Sequence, residues 1–339
     1  MAISKDPVVD VLIIGGSHAG LSAALTLYRA LHTSIIFDSK KPRNDYPTLV
    51  RLTPTWENKT PEEMREASRK ELQSTGFTTF VDSEVTSLER IQDELFQATD
   101  TNGAIWLGRK VLFATGAQDV FPDITGYADL YAKSMYVNPP PPYLNFPSTT
   151  AKSPPNYPRY PCMFQFGYEH RGSPSAGLLA VDGLAHPMHA LALAQDGHKF
   201  AQKMTIYTNA NPTLAAQISA ALPPNQDMAV DDRKIKRLVQ GSSAPAERVV
   251  LEFEEGGVRA ETFLVHRAMT KVDTTLAEQL GVEVSAMGDL KVAPPFCKTN
   301  VAGVYAAGDN STMMKTIANA MTMGAYAGCG LARELPKRT

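Results

Sequence analysis

Residues 9–27 read Val-Asp-Val-Leu-Ile-Ile-Gly-Gly-Ser-His-Ala-Gly-Leu-Ser-Ala-Ala-Leu-Thr-Leu. Val9, Val11, Leu12, Ile13 and Ile14 predict a short buried strand, Gly15, Gly16 and Gly20 surround a tight turn, and Leu21 to Leu27 continue as a packed helix. A strand, a glycine turn and a helix N-terminus bring bare backbone N–H groups and the positive helix end to one point. That is the physical basis of a dinucleotide-phosphate site. The middle glycine of the G-x-G-x-x-G pattern is replaced by Ser17, so the hexad needs partners downstream to carry the assignment.

The first partner is the strand Ile35–Asp38, which follows the helix and ends on an acid. Asp38 stands close to the ~20-residue offset at which a carboxylate takes a ribose hydroxyl. A free carboxylate there suits a 2′-OH and repels a 2′-phosphate. Thr60-Pro61-Glu62-Glu63 then gives a capping box with proline at the first helical position. Thr78–Leu88, Leu95–Thr99 and Ile105–Leu107 predict a small antiparallel excursion, after which Lys110–Phe113 returns as a separate buried strand before Ala114-Thr115-Gly116-Ala117.

The span 127–159 is rich in proline and tyrosine and predicts a covering loop or a partner-facing arm rather than a packed element. Leu178–Val181 opens a second strand–turn–helix unit. Its turn, Asp182-Gly183-Leu184-Ala185-His186-Pro187, keeps one glycine, and the next strand ends in Thr208-Asn209 with no arginine to meet a 2′-phosphate. His186, His189 and His198 lie here without the carboxylate or cysteine that would complete a metal pattern, so no metal is expected. Gly303 to Asp309 forms a last buried strand ending in Gly308-Asp309, and a helix rich in Ala, Gly and Met follows from about Thr316 to Arg333.

With 339 residues, two domains are the natural expectation. The composition is that of an ordinary soluble protein: 43% hydrophobic, 20% charged, net charge −2. That balance offers no electrostatic case for nucleic acid or an anionic membrane surface. No apolar run reaches the ~20 residues that cross a bilayer. The polar start passes directly into the first strand, so no signal peptide is expected. The three cysteines form neither a disulfide framework nor a C-x-x-C pair. A reducing, cytoplasmic setting is the default.

These pieces, in this order, resemble the low-molecular-weight thioredoxin reductases, particularly fungal relatives that act on small molecules of secondary metabolism. The anchors are 13–25, 37–44 (FDSKKPRN), 53–65 (TPTWENKTPEEMR), 114–117, 166–172 (FGYEHRG) and 299–309 (TNVAGVYAAGD). The resemblance implies an α/β fold with two Rossmann-like, three-layer ββα dinucleotide-binding domains. It implies a discontinuous FAD domain, 1–119 with 267–339, and an inserted NAD(P)H-binding-like domain, 120–266. The flavin contacts it implies are Gly15, Gly16, Ser17, His18, Ala19, Gly20, Asp38, Ser39, Arg43, Asn44, Thr115, Gly116, Gly308 and Asp309. It further implies a homodimer.

The chain departs from the family where the family exchanges thiols with its flavin. The expected C-x-x-C reads Cys162-Met163-Phe164-Gln165. A single thiol cannot close an intramolecular disulfide, so electron transfer from flavin to a dithiol is chemically unavailable. With the second nucleotide turn also eroded, reducing equivalents would come from the organic substrate itself rather than from NADPH, and reduced flavin would pass them to oxygen. The leading expectation is therefore an FAD-dependent oxidase or dehydrogenase of an apolar or aromatic small molecule, with oxygen as acceptor. Gln165 stands where the flavin-facing thiol belongs and is a candidate to hold substrate. Cys162 is either a nucleophile or a buried remnant. Glu169 and His170 are candidate bases, and Lys315 is a candidate to stabilise a reduced, anionic flavin ring. Two other readings stay open: an NADPH-dependent reductase of a small molecule, and a flavin-binding protein that catalyses a redox-neutral cyclisation or isomerisation.

Overall fold

The computed structural model describes residues 8–44, 49–133, 167–224, 227–242, 244 and 247–336. The chain divides into two compact units: Met1–Asp45, Leu52–Gln118 and Thr270–Thr339 form one, and Tyr46–Arg51 with Asp119–Met269 form the other.

In the first unit, β1 (Val9–Ile14) is apolar and buried from its second residue on. Asp10 is tolerated in it because its carboxylate accepts from Thr33 N (2.8 Å) and Thr33 Oγ1 (3.1 Å). After α1 (His18–Arg29) the chain returns through β2 (Ser34–Phe37), parallel to β1. The expected capping box starts α2 (Pro61–Gln73): Thr60 Oγ1 accepts from Glu63 N (3.1 Å), and Glu63 Oε2 accepts from Thr60 N (2.7 Å). Then come β3 (Thr78–Val81), β4 (Val85–Gln92), β5 (Leu95–Asp100) and β6 (Ile105–Phe113). The break expected inside 105–113 does not occur. One continuous strand forms because β6 serves two neighbours on the same edge: 105–108 pair antiparallel with β5, while 111–113 pair parallel with a later strand.

The chain leaves this unit through β7 (Gln118–Val120). The start of the expected proline-rich loop is instead a helix, α3 (Tyr127–Lys133), whose Tyr127, Leu130 and Tyr131 are buried. Three apolar side chains at helical spacing outweigh the proline-rich context; the rest of that loop lies outside the described residues. The second unit continues with β8 (Ser173–Leu179), α4 (Pro187–His198), β9 (Ala201–Tyr207), α5 (Pro212–Ala221) and β10 (Met228–Asp231). An antiparallel sheet of β11 (Ile235–Gln240), β12 (Val249–Phe253) and β13 (Val258–Glu261) follows. Strand β14 (Leu264–Val265) then joins the parallel sheet, giving the order β10-β9-β8-β14.

The chain re-enters the first unit through β15 (Met269–Lys271), α6 (Thr275–Gln279), β16 (Val304–Ala306) and α7 (Ile317–Glu334). The first unit's sheet runs β3-β2-β1-β6-β5-β4, with β16 also on β6. Strand alternation sends Val11 and Ile13 to one face, against α1 and α7, and Leu12 and Ile14 to the other, against Phe37, Phe96 and Phe113. The fold is α/β with Rossmann-like parallel sheets in both units. Among the described residues, no helix is long and apolar enough to cross a membrane.

Candidate functional site

Four parallel strands of the first unit end at one level. Ile14 of β1 is in register with Phe37 of β2 and Phe113 of β6, and Phe113 with Ala306 of β16. The turns leaving them are stitched together: Gly15 N donates to Phe37 O (2.9 Å), Ala114 N to Ile14 O (2.8 Å) and Ala307 N to Phe113 O (2.9 Å). From β1 the sheet proceeds outward in both directions, through β2 and through β6. The carboxyl ends at such a reversal form the crevice where open α/β sheets bind ligands.

The glycine turn meets the demands of a pyrophosphate. Ser17 caps α1 with extended backbone and makes no side-chain cap hydrogen bond, and the first turn of α1 holds no acid. The leading N–H groups, which have no intrahelical partner, are thus left for an anion. Gly15 has φ +124°, and a Cβ there would lie 2.1 Å from Ala114 O. A Cβ at Gly16 would lie 2.5 Å from Asp38 Cγ, so the Asp38 carboxyl presses directly on the turn. Gly20 packs against Gly15 O, and Gly308 against the Cβ of Ala19.

Two buried polar atoms beside this crevice have no partner among the described residues: His18 Nε2 and Asn310 Oδ1. His18 is the first residue of α1, and burial pushes its imidazole down to about 4, so it is neutral at pH 7. Asn310 is fully buried; its Nδ2 donates to Phe113 O (2.9 Å) and Thr115 Oγ1 (3.2 Å), tying the 114–117 turn to the Gly308-Asp309 turn. An uncapped helix end, a glycine cradle backed by a carboxylate, and orphaned donors or acceptors suit FAD. Gly15 to Gly20, Asp38, Thr115, Gly308 and Asp309 are the residues that would hold it.

Other expected contacts are redistributed. Asp38 is not a free carboxylate: Oδ1 accepts from Lys40 N (2.9 Å), and Oδ2 lies 3.1 Å from Lys40 Nζ and 3.4 Å from Arg69 Nη1. Lys40 stands two residues on in the sequence, whereas Arg69 comes from α2 and left no local signal. Arg43 and Asp309 form an ion pair, Nη1 to Oδ2 at 2.8 Å. Asn44 Oδ1 accepts from Arg65 Nη1 (2.7 Å). Ser39 and Thr115 are exposed at the rim, and Gly116 has φ +73°. Asn310, Arg65 and Arg69 were missed by sequence reasoning; the only signal for Asn310 was its place directly after Gly308-Asp309.

The proposed catalytic residues fare differently. Cys162 and Gln165 lie outside the described residues. Lys315 Nζ donates to Asp309 O (2.6 Å), Thr312 O (2.7 Å) and Asp289 Oδ1 (3.0 Å), so all three ammonium hydrogens are engaged within the loop. In this arrangement no ammonium hydrogen is left over for a flavin ring. His170 is placed in the core. It is 3% exposed, packs edge-on against Phe263 at 5.4 Å, and burial lowers its imidazole to about 2, far too low for a base at neutral pH. Glu169 remains: its Oε1 accepts from Arg51 Nη2 at 2.9 Å, and Arg51 is itself nearly fully buried. Cys297 is a buried thiol pushed up to about 11, which keeps it protonated and unreactive.

Comparison with known proteins agrees with this geometry. A family model described as pyridine nucleotide-disulphide oxidoreductase matches residues 9–138. Thioredoxin reductase aclD of Aspergillus oryzae is 36% identical over 332 residues, 97% of each chain. A thioredoxin reductase of Gibberella zeae is 35% identical over 341 residues, covering 97% of this chain and 98% of the relative. Among solved structures, an oxidoreductase from Agrobacterium tumefaciens superposes with a TM-score of 0.76 at 23% identity, over 96% of this chain and 98% of that one. Thioredoxin reductase from Streptococcus pyogenes does so with a TM-score of 0.71 at 20% identity, over 96% and 97%. The two superpositions bear on the fold alone, whereas full-length identity above 30% assigns the family. The chain belongs to the thioredoxin reductase-like FAD flavoproteins.

Proposed function

We propose that this oxidoreductase is an oxidase of a small apolar or aromatic metabolite, of the kind made in fungal secondary metabolism, and that it works without a redox-active dithiol. The observation that carries this reading is the segment Cys162-Met163-Phe164-Gln165, in which the second thiol of the family's pair is an amide. One sulfur cannot cycle between dithiol and disulfide. Two electrons and two protons therefore leave an organic substrate, and oxygen takes them up as hydrogen peroxide. Bound FAD supplies the two-electron exchange between the two. Ser17, His18 and the α1 N-terminus would hold its phosphates, with Asp309, fixed by Arg43, at the β16 side. Gln165 orients the substrate by hydrogen bonding, and Glu169, its carboxylate oriented by Arg51, accepts the substrate's proton. By the same family likeness the working form is a cytoplasmic homodimer.

The test needs no knowledge of the substrate. Holoprotein photoreduced without oxygen is mixed with aerated buffer while the flavin absorbance and peroxide are followed. Reoxidation within seconds, with one peroxide formed per flavin, is the expected result. Reoxidation over many minutes without peroxide would remove oxygen as the acceptor and return the reading to a reductase or a redox-neutral enzyme.

A further inference from the structure

Family membership implies a pyridine dinucleotide in the second unit, and the residues there do not fit one. In the first unit three residues, Gly15 to Ser17, join the strand to its helix; in the second, the connection from β8 to α4 runs from Ala180 to His186 and contains a 3-10 turn, Asp182–Leu184. The helix is therefore not joined to the strand by the three-residue turn that forms the cradle in the first unit. It also offers less to an anion, because its first residue is Pro187, which has no N–H.

The residue at the left-handed position differs as well. Gly15 takes that conformation in the first turn; Asp182 takes it here, at φ +50°, with its side chain exposed. A carboxylate thus occupies the turn that would face a pyrophosphate. The glycine that follows gives no open approach: a Cβ at Gly183 would lie 2.9 Å from Met269 Sδ, and His189 Nδ1 lies 3.4 Å from Gly183 O.

Among the described residues, most polar side chains at the neighbouring strand ends are already engaged, with Arg267 after β14 the exposed cation. After β9, Asn209 accepts from Ile235 N through Oδ1 (2.9 Å), and Asn211 caps α5. At the end of β10, Arg233 is spent on Asp231, Nε to Oδ1 at 3.0 Å and Nη2 to Oδ2 at 2.6 Å, and it stacks on Phe253. After β14, His266 Nδ1 is hydrogen-bonded to Tyr127 OH at 2.7 Å, and burial keeps the imidazole neutral. His266 directly follows Val265, which is in register with Leu178, so the ring pair stands beside the end of β8.

We propose that the second unit retains the dinucleotide-binding fold but excludes NADPH and NADH, with Asp182 set against the phosphates. The inference deepens the oxidase reading, because it removes the customary electron donor, yet it stands on residues of the second unit alone.

Calorimetric titration of NADPH and of NADH into oxidised holoprotein at low ionic strength tests it. No saturable binding is expected below about 1 mM. A dissociation constant of tens of micromolar or tighter for either dinucleotide would overturn the proposal. Asp182→Asn is expected to tighten the residual millimolar affinity for NADPH severalfold at low salt; unchanged affinity would remove Asp182 from the account. The flavin spectrum of the variant reports that the fold is intact. Protein that binds no dinucleotide but forms no peroxide loses the oxidase reading and keeps this one. Protein that binds NADPH tightly but still forms peroxide does the reverse.

Discussion

Arg43 and Asp309 are 266 residues apart in sequence and meet at 2.8 Å, guanidinium Nη1 to carboxylate Oδ2, with both side chains about one-fifth exposed. The pair joins the loop after β2 to the turn after β16, two of the four turns that border the crevice. Asp309→Asn and Arg43→Met are each expected to weaken FAD binding by about tenfold, measured by flavin-fluorescence quenching on reconstitution of apoprotein. The double variant should lose less than the sum of the two, by ~0.5–3 kcal/mol, because the second substitution removes a partner already lost. Strict additivity would show that the two residues act independently.

The glycine turn makes a contrast that stability can read. Gly16→Ala would force a Cβ to within 2.5 Å of Asp38 Cγ, and Gly15→Ala to within 2.1 Å of a backbone carbonyl. Each is expected to cost ~2–4 kcal/mol and to abolish flavin retention. Gly76 also has positive φ, but nothing lies within 4 Å of a Cβ there. Gly76→Ala should cost only the conformational penalty of ~1–2 kcal/mol and leave the protein yellow. Equal losses at Gly76 and Gly15 in urea melts would contradict the close packing of the turn.

Burial holds three imidazoles below their ordinary 6.5: His18 at about 4, His266 at about 4 and His170 at about 2. The unfolded chain therefore binds more protons than the folded one as pH falls below 6.5. Stability is fully present above that pH and declines steadily toward pH 4, by up to ~1.4 kcal/mol per pH unit for each group. Urea midpoints measured from pH 8 to pH 4.5 should show this slope, and His170→Phe, which preserves an aromatic contact with Phe263, should flatten it. An unchanged slope in that variant would place the acid sensitivity elsewhere.

Lys315 gives a prediction of the opposite kind. Its ammonium is bound by Asp289, Asp309 O and Thr312 O, so Lys315→Met is expected to lower unfolding free energy by ~2–4 kcal/mol. The flavin reduction potential in protein that still binds FAD should stay unchanged. A large fall in that potential would restore the lysine as a group acting on the flavin ring.

Tyr127→Phe removes one buried hydrogen bond, to His266 Nδ1, while keeping the ring stacked near Tyr131 and Phe121. The expected cost is ~1–2 kcal/mol in urea unfolding. Loss below ~0.3 kcal/mol would mean that the hydroxyl and imidazole do not share a proton in solution.

What the amino-acid order determined by itself was local. The run from Val9 to Ile14 had to be a buried strand, Gly15 and Gly16 had to be a turn, and Thr60-Pro61-Glu62-Glu63 had to start a helix, because each depends on residues within a few positions of one another. The loss of the second thiol at Gln165 was likewise a matter of reading letters. Tertiary structure decided which charges meet. Asp38 was legible as an acid at a strand end with Lys40 two residues on, but Arg69 reaches it only because α2 packs against α1 and β3. Lys315 was legible as a cation near Gly308-Asp309, and only folding showed that its three hydrogens were already taken. Burial did the same for His170, turning a candidate base into a core ring. A side chain's chemistry follows from its type, whereas its ionisation and its partners follow from water and neighbours, which non-local packing alone arranges.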